Sequence, residues 1–345
     1  MKIFVTGAAG QLGHDVINEL ALRNEKRPGC FEYIASDIGS VYSGVNDNTP
    51  VVHAPYISMD ITDEKAVMDT LISLRPDAVI HCAAWTAVDL AEDEDKQEQV
   101  YRINALGTKN IARAVRKLDQ KLADGCKMMY ISTDYVFSGQ GTAPWEPDCK
   151  DYAPLNVYGR TKLEGEKAVA DLLEKFFIVR IAWVFGKNGK NFIKTMLQAA
   201  KTHDRLKVVN DQIGTPTYTY DLAKLLTDMI ASDKYGYYHA TNSELLPADD
   251  AEASSGYTKD GTRLGYISWY DFTKEIFRQA VLLGHTEYTP EKVSVEPVTT
   301  EEYGLSKASR PFNSRLDKHK LENSGFTPLP TWQNALIRYL KEIDF

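Results

Sequence analysis

The sequence has little that would mark it for a membrane, a nucleic acid or a metal. No run approaches the roughly 18 apolar residues that a spanning helix needs, so no membrane partner is expected. Basic residues do not predominate: 40 Lys and Arg face 48 Asp and Glu, for a formal net charge of −8. A nucleic-acid partner, which needs a broad basic field, is therefore not expected, and any phosphate binding must be local. The seven histidines are scattered without HExxH or another zinc spacing, so neither a structural nor a catalytic metal is expected. Cysteine is scarce as well. Cys30, Cys82, Cys126 and Cys149 form no CxxC pair, and the chain opens on a strand pattern in place of a secretory leader, which together point to a reducing cytoplasm.

What is present is a globular composition. The 345 residues are 43% hydrophobic, enough for one large core or two joined ones. Short runs rich in β-branched and aromatic residues, at 2–6, 33–36, 78–82, 128–132 and 177–184, alternate with helix-period segments at 11–23, 63–74, 97–118 and 158–174. This alternation predicts an α/β fold with a Rossmann-type, doubly wound parallel sheet. Beyond residue 185 the rhythm is less regular, with a helix at 191–201, a strand at 207–209 and a helix at 220–231, which reads as a smaller C-terminal lobe. Residues 39–58 and 246–262 are rich in Gly, Ser, Asp and Pro without periodicity and read as surface insertions.

The first strand runs straight into Thr6-Gly7-Ala8-Ala9-Gly10-Gln11-Leu12-Gly13, where a helix pattern begins. In such a turn Gly7 permits the sharp bend, Gly10 lets a pyrophosphate approach the backbone, and Gly13 lets helix and strand pack closely. The second strand ends at Asp37, 24 positions beyond Gly13, where a carboxylate accepts hydrogen bonds from ribose hydroxyls and repels a 2′-phosphate. Ile38, Gly39 and Ser40 offer no compensating cation, so Asp37 favours NADH over NADPH. Asp60 and Ile61 follow the inserted segment, either under the adenine or at a helix cap. Ala83 and Ala84, at the end of the third strand, are small enough for a cofactor to lie against the backbone, or are ordinary core residues.

Tyr158 and Lys162 lie four apart on a helix pattern and so project from one face. An ammonium beside a phenol favours the phenolate and lowers its pKa, which suits Tyr158 to deliver a proton to a carbonyl oxygen. The spacing alone is not selective, because Tyr220/Lys224, Tyr270/Lys274, Tyr288/Lys292 and Tyr303/Lys307 share it. Context separates the first pair: it opens the helix that follows Ser132-Thr133-Asp134 at a strand end, where Thr133 can orient and polarise the carbonyl. Asp134 is placed to accept sugar hydroxyls or to cap a turn, and Trp183 to stack on a sugar or base or to fill the core. Two places concentrate positive charge for a substrate diphosphate: Lys187, Lys190 and Lys194 around Asn191, and Arg310 with Arg315.

Seven motifs occur in order: TGAAGQLG, STDYVFSG, NVYGRTKLEGE, RIAWVFG, NFIKTML, NDQIGTPT and SRPFNSRL. Together they resemble the dTDP-4-dehydrorhamnose reductases of the extended short-chain dehydrogenase/reductase superfamily, from Met1 to about Leu340. The resemblance implies a dinucleotide-binding domain over 1–185, with a mainly substrate-binding lobe over 186–345 from which segments return to the first domain. It implies catalysis by Thr133, Tyr158 and Lys162. It implies a cofactor site including Gly10, Gln11, Leu12, Asp37, Asp60, Ile61, Ala83, Ala84 and Thr86, with sugar contacts at Asp134 and Trp183. The implied reaction is reduction of dTDP-4-dehydro-L-rhamnose to dTDP-L-rhamnose with NADPH or NADH.

Some members of that family form dimers around magnesium held by glutamates, which makes a homodimer an expectation. The corresponding first-helix position here is Asp15, and no glutamate stands near Thr202, so magnesium is doubtful. A nucleotide-sugar epimerase or dehydratase would share the glycine turn and the Tyr/Lys pair, but Tyr135 stands where a dehydratase's second acid would fall. A non-catalytic binding subunit, similar to the regulatory subunit of methionine adenosyltransferase, is the reading from a different class.

Overall fold

Strand β1 (Lys2–Thr6) buries Ile3, Phe4 and Val5 completely, as a strand covered by helices on both faces must. The computed structural model that contains it describes residues 1–46, 48–123, 125–249, 254, 258–259 and 264–344. From β1 the chain passes through the glycine turn into α1 (Gln11–Lys26), then β2 (Glu32–Asp37), β3 (Tyr56–Ser58), α2 (Glu64–Leu74) and β4 (Ala78–His81). Helices α3 (Glu94–Tyr101) and α4 (Thr108–Asp119) lead to β5 (Lys127–Thr133), α5 (Val157–Leu172) and β6 (Phe176–Ile181).

With β11 (Gly236–His239), the seven-stranded sheet has the order β11-β6-β5-β4-β1-β2-β3, every pair parallel. Strands β2 and β3 lie to one side of β1, and β4, β5 and β6 to the other. This reversal opens a crevice outside the carboxyl ends of β1 and β4, where open α/β sheets bind ligands. The sheet reaches past residue 185, because β11 (Gly236–His239) pairs with β6 and α7 (Thr219–Ile230) packs against α1.

Among the described residues, three two-stranded sheets build the second lobe. Strand β7 (Val184–Phe185) pairs with β10 (Thr217–Tyr218), β8 (Arg205–Val209) with β13 (Ser294–Val298), and β9 (Ile213–Gly214) with β12 (Ile267–Ser268). With α6 (Phe192–Ala200) and the helices Trp269–Leu282 and Trp332–Leu340 they enclose a second core around Phe185, Tyr218, Phe272 and Trp332. Among the described residues no helix is long and apolar enough to cross a membrane.

Three sequence expectations need correction. The continuous helix over 97–118 is interrupted by a π-helical turn, Arg102–Gly107, which carries the Asn104 side chain to the Trp85 backbone (2.8 and 3.2 Å) and the Thr161 hydroxyl (3.1 Å). Residues 39–58 are more than a surface insertion: Val51 is buried and Tyr56–Ser58 forms the outer strand of the sheet. The strand read over 177–184 breaks at Trp183, whose φ of +51° separates β6 from β7. The segment 246–262 falls largely outside the described residues.

Candidate functional site

The crevice is a cavity of about 670 Å³ that spans the sheet's switch point and reaches the second lobe. Its lining includes Gly7, Gly10, Gln11, Leu12 and Gly13 from the turn, Asp37, Asp60, Ile61, Ala83, Ala84 and Thr86 beyond the strand ends, then Thr133, Asp134, Tyr158, Lys162 and Trp183.

Backbone crowding fixes the turn. Gly7 has φ of +70°, and a Cβ there would stand 2.6 Å from the Ala83 nitrogen; at Gly13 it would stand 2.1 Å from the Gly7 carbonyl oxygen. Helix α1 starts at Gly10 with no side-chain cap and no acidic residue in its first turn, which leaves the positive end of its dipole for an anion. Asp37 Oδ2 accepts the Ala9 amide at 2.9 Å, and Oδ1 accepts the Ile38 amide at 2.8 Å, so the carboxylate braces the turn while facing the cavity. A further brace escaped sequence reasoning. Asn188 Nδ2 donates to the Ala9 carbonyl at 2.7 Å and to the Gly10 carbonyl at 3.2 Å, while Oδ1 accepts the Val45 amide at 3.0 Å. This one residue ties the 39–58 segment and the second lobe to the turn. A glycine cradle that no Cβ can enter, an uncapped helix start and a carboxylate at the end of β2 fit a dinucleotide.

Helix α5 is fixed at its start by Asn156, whose side chain accepts the Gly159 amide at 2.7 Å, and by Glu92, which accepts the Val157 amide at 2.7 Å. The Tyr158 ring meets Tyr135 edge-on at 5.8 Å, and its hydroxyl lies near that of Thr133. Protein surrounding the phenol raises its pKa, against the opposing pull of the nearby Thr133 hydroxyl, so it holds its proton at neutral pH. Lys162 is 2% exposed; its ammonium donates to the Ile131 carbonyl at 2.6 Å and lies over the Tyr130 ring. Burial pulls its pKa down to about 7, with Glu166 one turn on pulling the other way. Burial dominates at the phenol, and the ammonium is engaged by Ile131 and Tyr130.

Beneath the lysine, His81 bridges Thr6 Oγ1 (2.6 Å) and Thr108 Oγ1 (3.1 Å). Burial, with the nearby Lys162 charge second, lowers its pKa to about 3 and keeps it neutral. Asp134 is 3% exposed, and burial pushes its carboxyl up to about 6 against hydrogen bonds from Ser314 and Thr133. On the far wall the indoles of Trp183 and Trp269 stack at 3.7 Å with a 15° interplanar angle. The left-handed backbone of Trp183 is costly for a bulky residue and aims this stack at the cavity.

Two expected substrate contacts lie elsewhere. Asn191 is the N-cap of α6: Oδ1 accepts the Lys194 amide at 3.1 Å, while Nδ2 donates to the Gly186 carbonyl (2.9 Å) and the Tyr339 hydroxyl (2.8 Å). Its bonding capacity is spent inside the protein. Arg310 is not part of the lining either. Its guanidinium pairs with both oxygens of Asp89 (2.5 and 3.2 Å), near the Tyr135 phenol. Of the three lysines around Asn191 only Lys190 lines the cavity; Lys194 Nζ is held by the Lys187 and Gly189 carbonyls. Sequence reasoning missed Tyr135 and Trp269 as lining residues. Tyr135 adjoins the Ser-Thr-Asp strand end, a signal that would have found it, whereas nothing near Trp269 announces its partner 86 positions away.

A family model described as the RmlD substrate binding domain matches residues 1–345. Over 349 aligned residues the chain is 37% identical to a dTDP-4-dehydrorhamnose reductase of Escherichia coli K12, covering 99% of this chain and 98% of that protein. A crystal structure of a dTDP-4-dehydrorhamnose reductase from Clostridium acetobutylicum is similar with a TM-score of 0.77 at 36% identity, over 99% of both chains. One from Bacillus anthracis, in complex with NADP, is similar with a TM-score of 0.77 at 34% identity, again over 99% of both.

Proposed function

The chain belongs to the RmlD substrate binding domain family along its whole length, and on that premise we propose that Thr133, Tyr158 and Lys162 carry the reduction of dTDP-4-dehydro-L-rhamnose to dTDP-L-rhamnose. It is an NAD(P)-dependent oxidoreductase acting on a nucleotide-linked keto sugar. The observation that carries the residue assignment is the meeting of these three side chains at the carboxyl end of β5, in one cavity with the glycine turn.

When bound, the reduced nicotinamide supplies the hydride for the keto carbon. The protein's part is to hold the ketone and move one proton. Tyr158 keeps its proton because burial raises its pKa, and it donates that proton to the keto oxygen. Thr133, beside the phenol, holds the same oxygen in place. The Lys162 ammonium, buried a turn below, stabilises the phenolate left behind. Trp183, backed by Trp269, offers a flat face to the sugar or base, and Asp134 accepts sugar hydroxyls.

Gly7, Gly10, Gln11, Leu12 and Gly13 hold the cofactor pyrophosphate, and Lys190 adds a positive charge at that end of the cavity. Asp37 favours NADH, since its carboxylate faces the position of the ribose and Ile38 beside it offers no charge to a 2′-phosphate. The test is nicotinamide oxidation against a panel of nucleotide-linked 4-keto-6-deoxysugars with product identification. The expected result is turnover of the 4-dehydrorhamnose compound to the rhamnose product. Absence of oxidation with every sugar, alongside intact dinucleotide binding, would replace the enzyme with a binding module.

A further inference from the structure

Tyr130 does not line the cavity, yet it holds Lys162 at two points. It is fully buried on β5; its hydroxyl donates to the Lys162 carbonyl at 3.3 Å, and the face of its ring lies 4.1 Å from the Lys162 ammonium. The sequence makes room for this grip. Gly165 stands in the middle of α5, where glycine costs helix stability, and a Cβ there would lie 2.4 Å from the Tyr130 hydroxyl oxygen and 2.8 Å from the Asn104 carbonyl oxygen. The ring is held in turn by His81, stacked against it at 5.7 Å.

A buried ammonium is costly unless its charge is met. The Ile131 carbonyl accepts one of its three hydrogens at 2.6 Å. Glu166, one turn on, is spent in the bidentate pair with Arg180 and acts on Lys162 only through space. What remains in contact is the face of Tyr130, whose π electrons attract a cation, and more strongly where water is excluded. Resting on the charge role proposed for Lys162, we infer that Tyr130 is a positioning residue whose ring keeps the buried Lys162 ammonium protonated and so sets the upper pH limit of the reaction.

The titratable groups around the ammonium are Glu166 and Tyr158 from α5, His81 and Cys82 from the end of β4, and Tyr130 itself, with Arg180 beyond Glu166. Burial keeps His81, Cys82 and both phenols neutral. The Ile131 carbonyl, the Glu166 carboxylate and the Tyr130 ring are left to favour the charged lysine against burial, which together hold it near 7. The ring favours the charged form, so weakening its π face moves the loss of charge to lower pH.

The experiment grades the ring while nearly keeping its size. Full-length protein carries Tyr130→Phe, or at the same position phenylalanine with one, two or three ring fluorines, each of which draws electrons from the π face. Lysine labelled with carbon-13 at Cε reports the titration midpoint of Lys162 by NMR in the free protein, the signal being the one lost in Lys162→Met. Tyr130→Phe retains the ring and is expected to keep the midpoint near 7. From that variant to the trifluoro ring the midpoint is expected to fall by about one pH unit, and the alkaline limb of kcat/KM with it. A midpoint that stays in place along the series would overturn the inference. Should the trifluoro protein fail to bind reduced cofactor, the monofluoro ring, one atom away from Tyr130→Phe, decides in the same way: an unchanged midpoint overturns the inference. A midpoint that falls while the limb stays would uphold the hold of the ring on the ammonium and overturn its link to the reaction, together with the charge role proposed for Lys162.

Discussion

The ammonium of Lys162 lies 4.1 Å from the centre of the Tyr130 ring, on the strand whose Ile131 carbonyl it also engages. This burial leaves the lysine titrating near pH 7 in the free enzyme, whereas the pKa of Tyr158 is raised above its ordinary value. Because the folded-state pKa of the lysine is depressed, its charge is present below about pH 7 and lost above it. The alkaline loss of kcat/KM is therefore expected near pH 7 and belongs to Lys162, not to the phenol. A pH profile checks it, with Lys162→Met expected to lack that limb and to lose about 100-fold in kcat. A limb near 10 would assign the loss to Tyr158.

Asp37 braces Ala9 and lines the cavity at the end of β2, where the proposed function puts the ribose. Asp37→Ala is expected to weaken NADH more than NADPH, as measured by the ratio of their dissociation constants. Equal weakening would mean that the carboxylate only supports the turn.

Arg180 and Glu166 form a fully buried bidentate pair, with bonds of 2.9 and 2.7 Å, and the guanidinium also holds the Pro147 carbonyl and the Tyr152 hydroxyl. Glu166→Gln leaves a buried cation short of its counter-charge and is expected to cost about 3–5 kcal/mol of stability in denaturant unfolding. Glu166 also raises the pKa of Lys162. The same variant should therefore move the alkaline limb to lower pH, an effect that instability alone would not produce.

Gly13→Ala would place a methyl group 2.1 Å from the Gly7 carbonyl, with backbone on both sides of the clash. Dinucleotide titration of the variant is expected to show binding lost or weakened by well over tenfold. Wild-type affinity would mean that the turn can open without consequence.

The repeating part of the fold was legible, because strands buried on both faces read as apolar runs and the glycine turn carries its reason in its sequence. Lys2–Thr6 falls where the sequence puts it, and Glu32–Asp37, Ala78–His81 and Lys127–Thr133 fall within a residue of their expected ends. What escaped depends on distant partners. Helical spacing on either side of Arg102–Gly107 is the same, so only the contacts of Asn104 with Trp85 and Thr161 reveal the widened turn. Tyr56–Ser58 is too short to show alternation. Arg310 reads as a free anion-binding cation until Asp89, 221 positions away in sequence, is seen to occupy it. Asn191 looks available because a capping side chain and a ligand-binding one are the same residue type.

The most direct test of the account is the steady-state and binding behaviour of Tyr158→Phe with dTDP-4-dehydro-L-rhamnose. Removing one hydroxyl takes away the proposed proton donor and leaves the glycine turn, Asp37 and the Trp183 stack untouched. The expected result is a loss of kcat of about 100-fold or more, with dinucleotide affinity close to wild type. Turnover retained within a few-fold of wild type would contradict the assignment of Tyr158 as the proton donor.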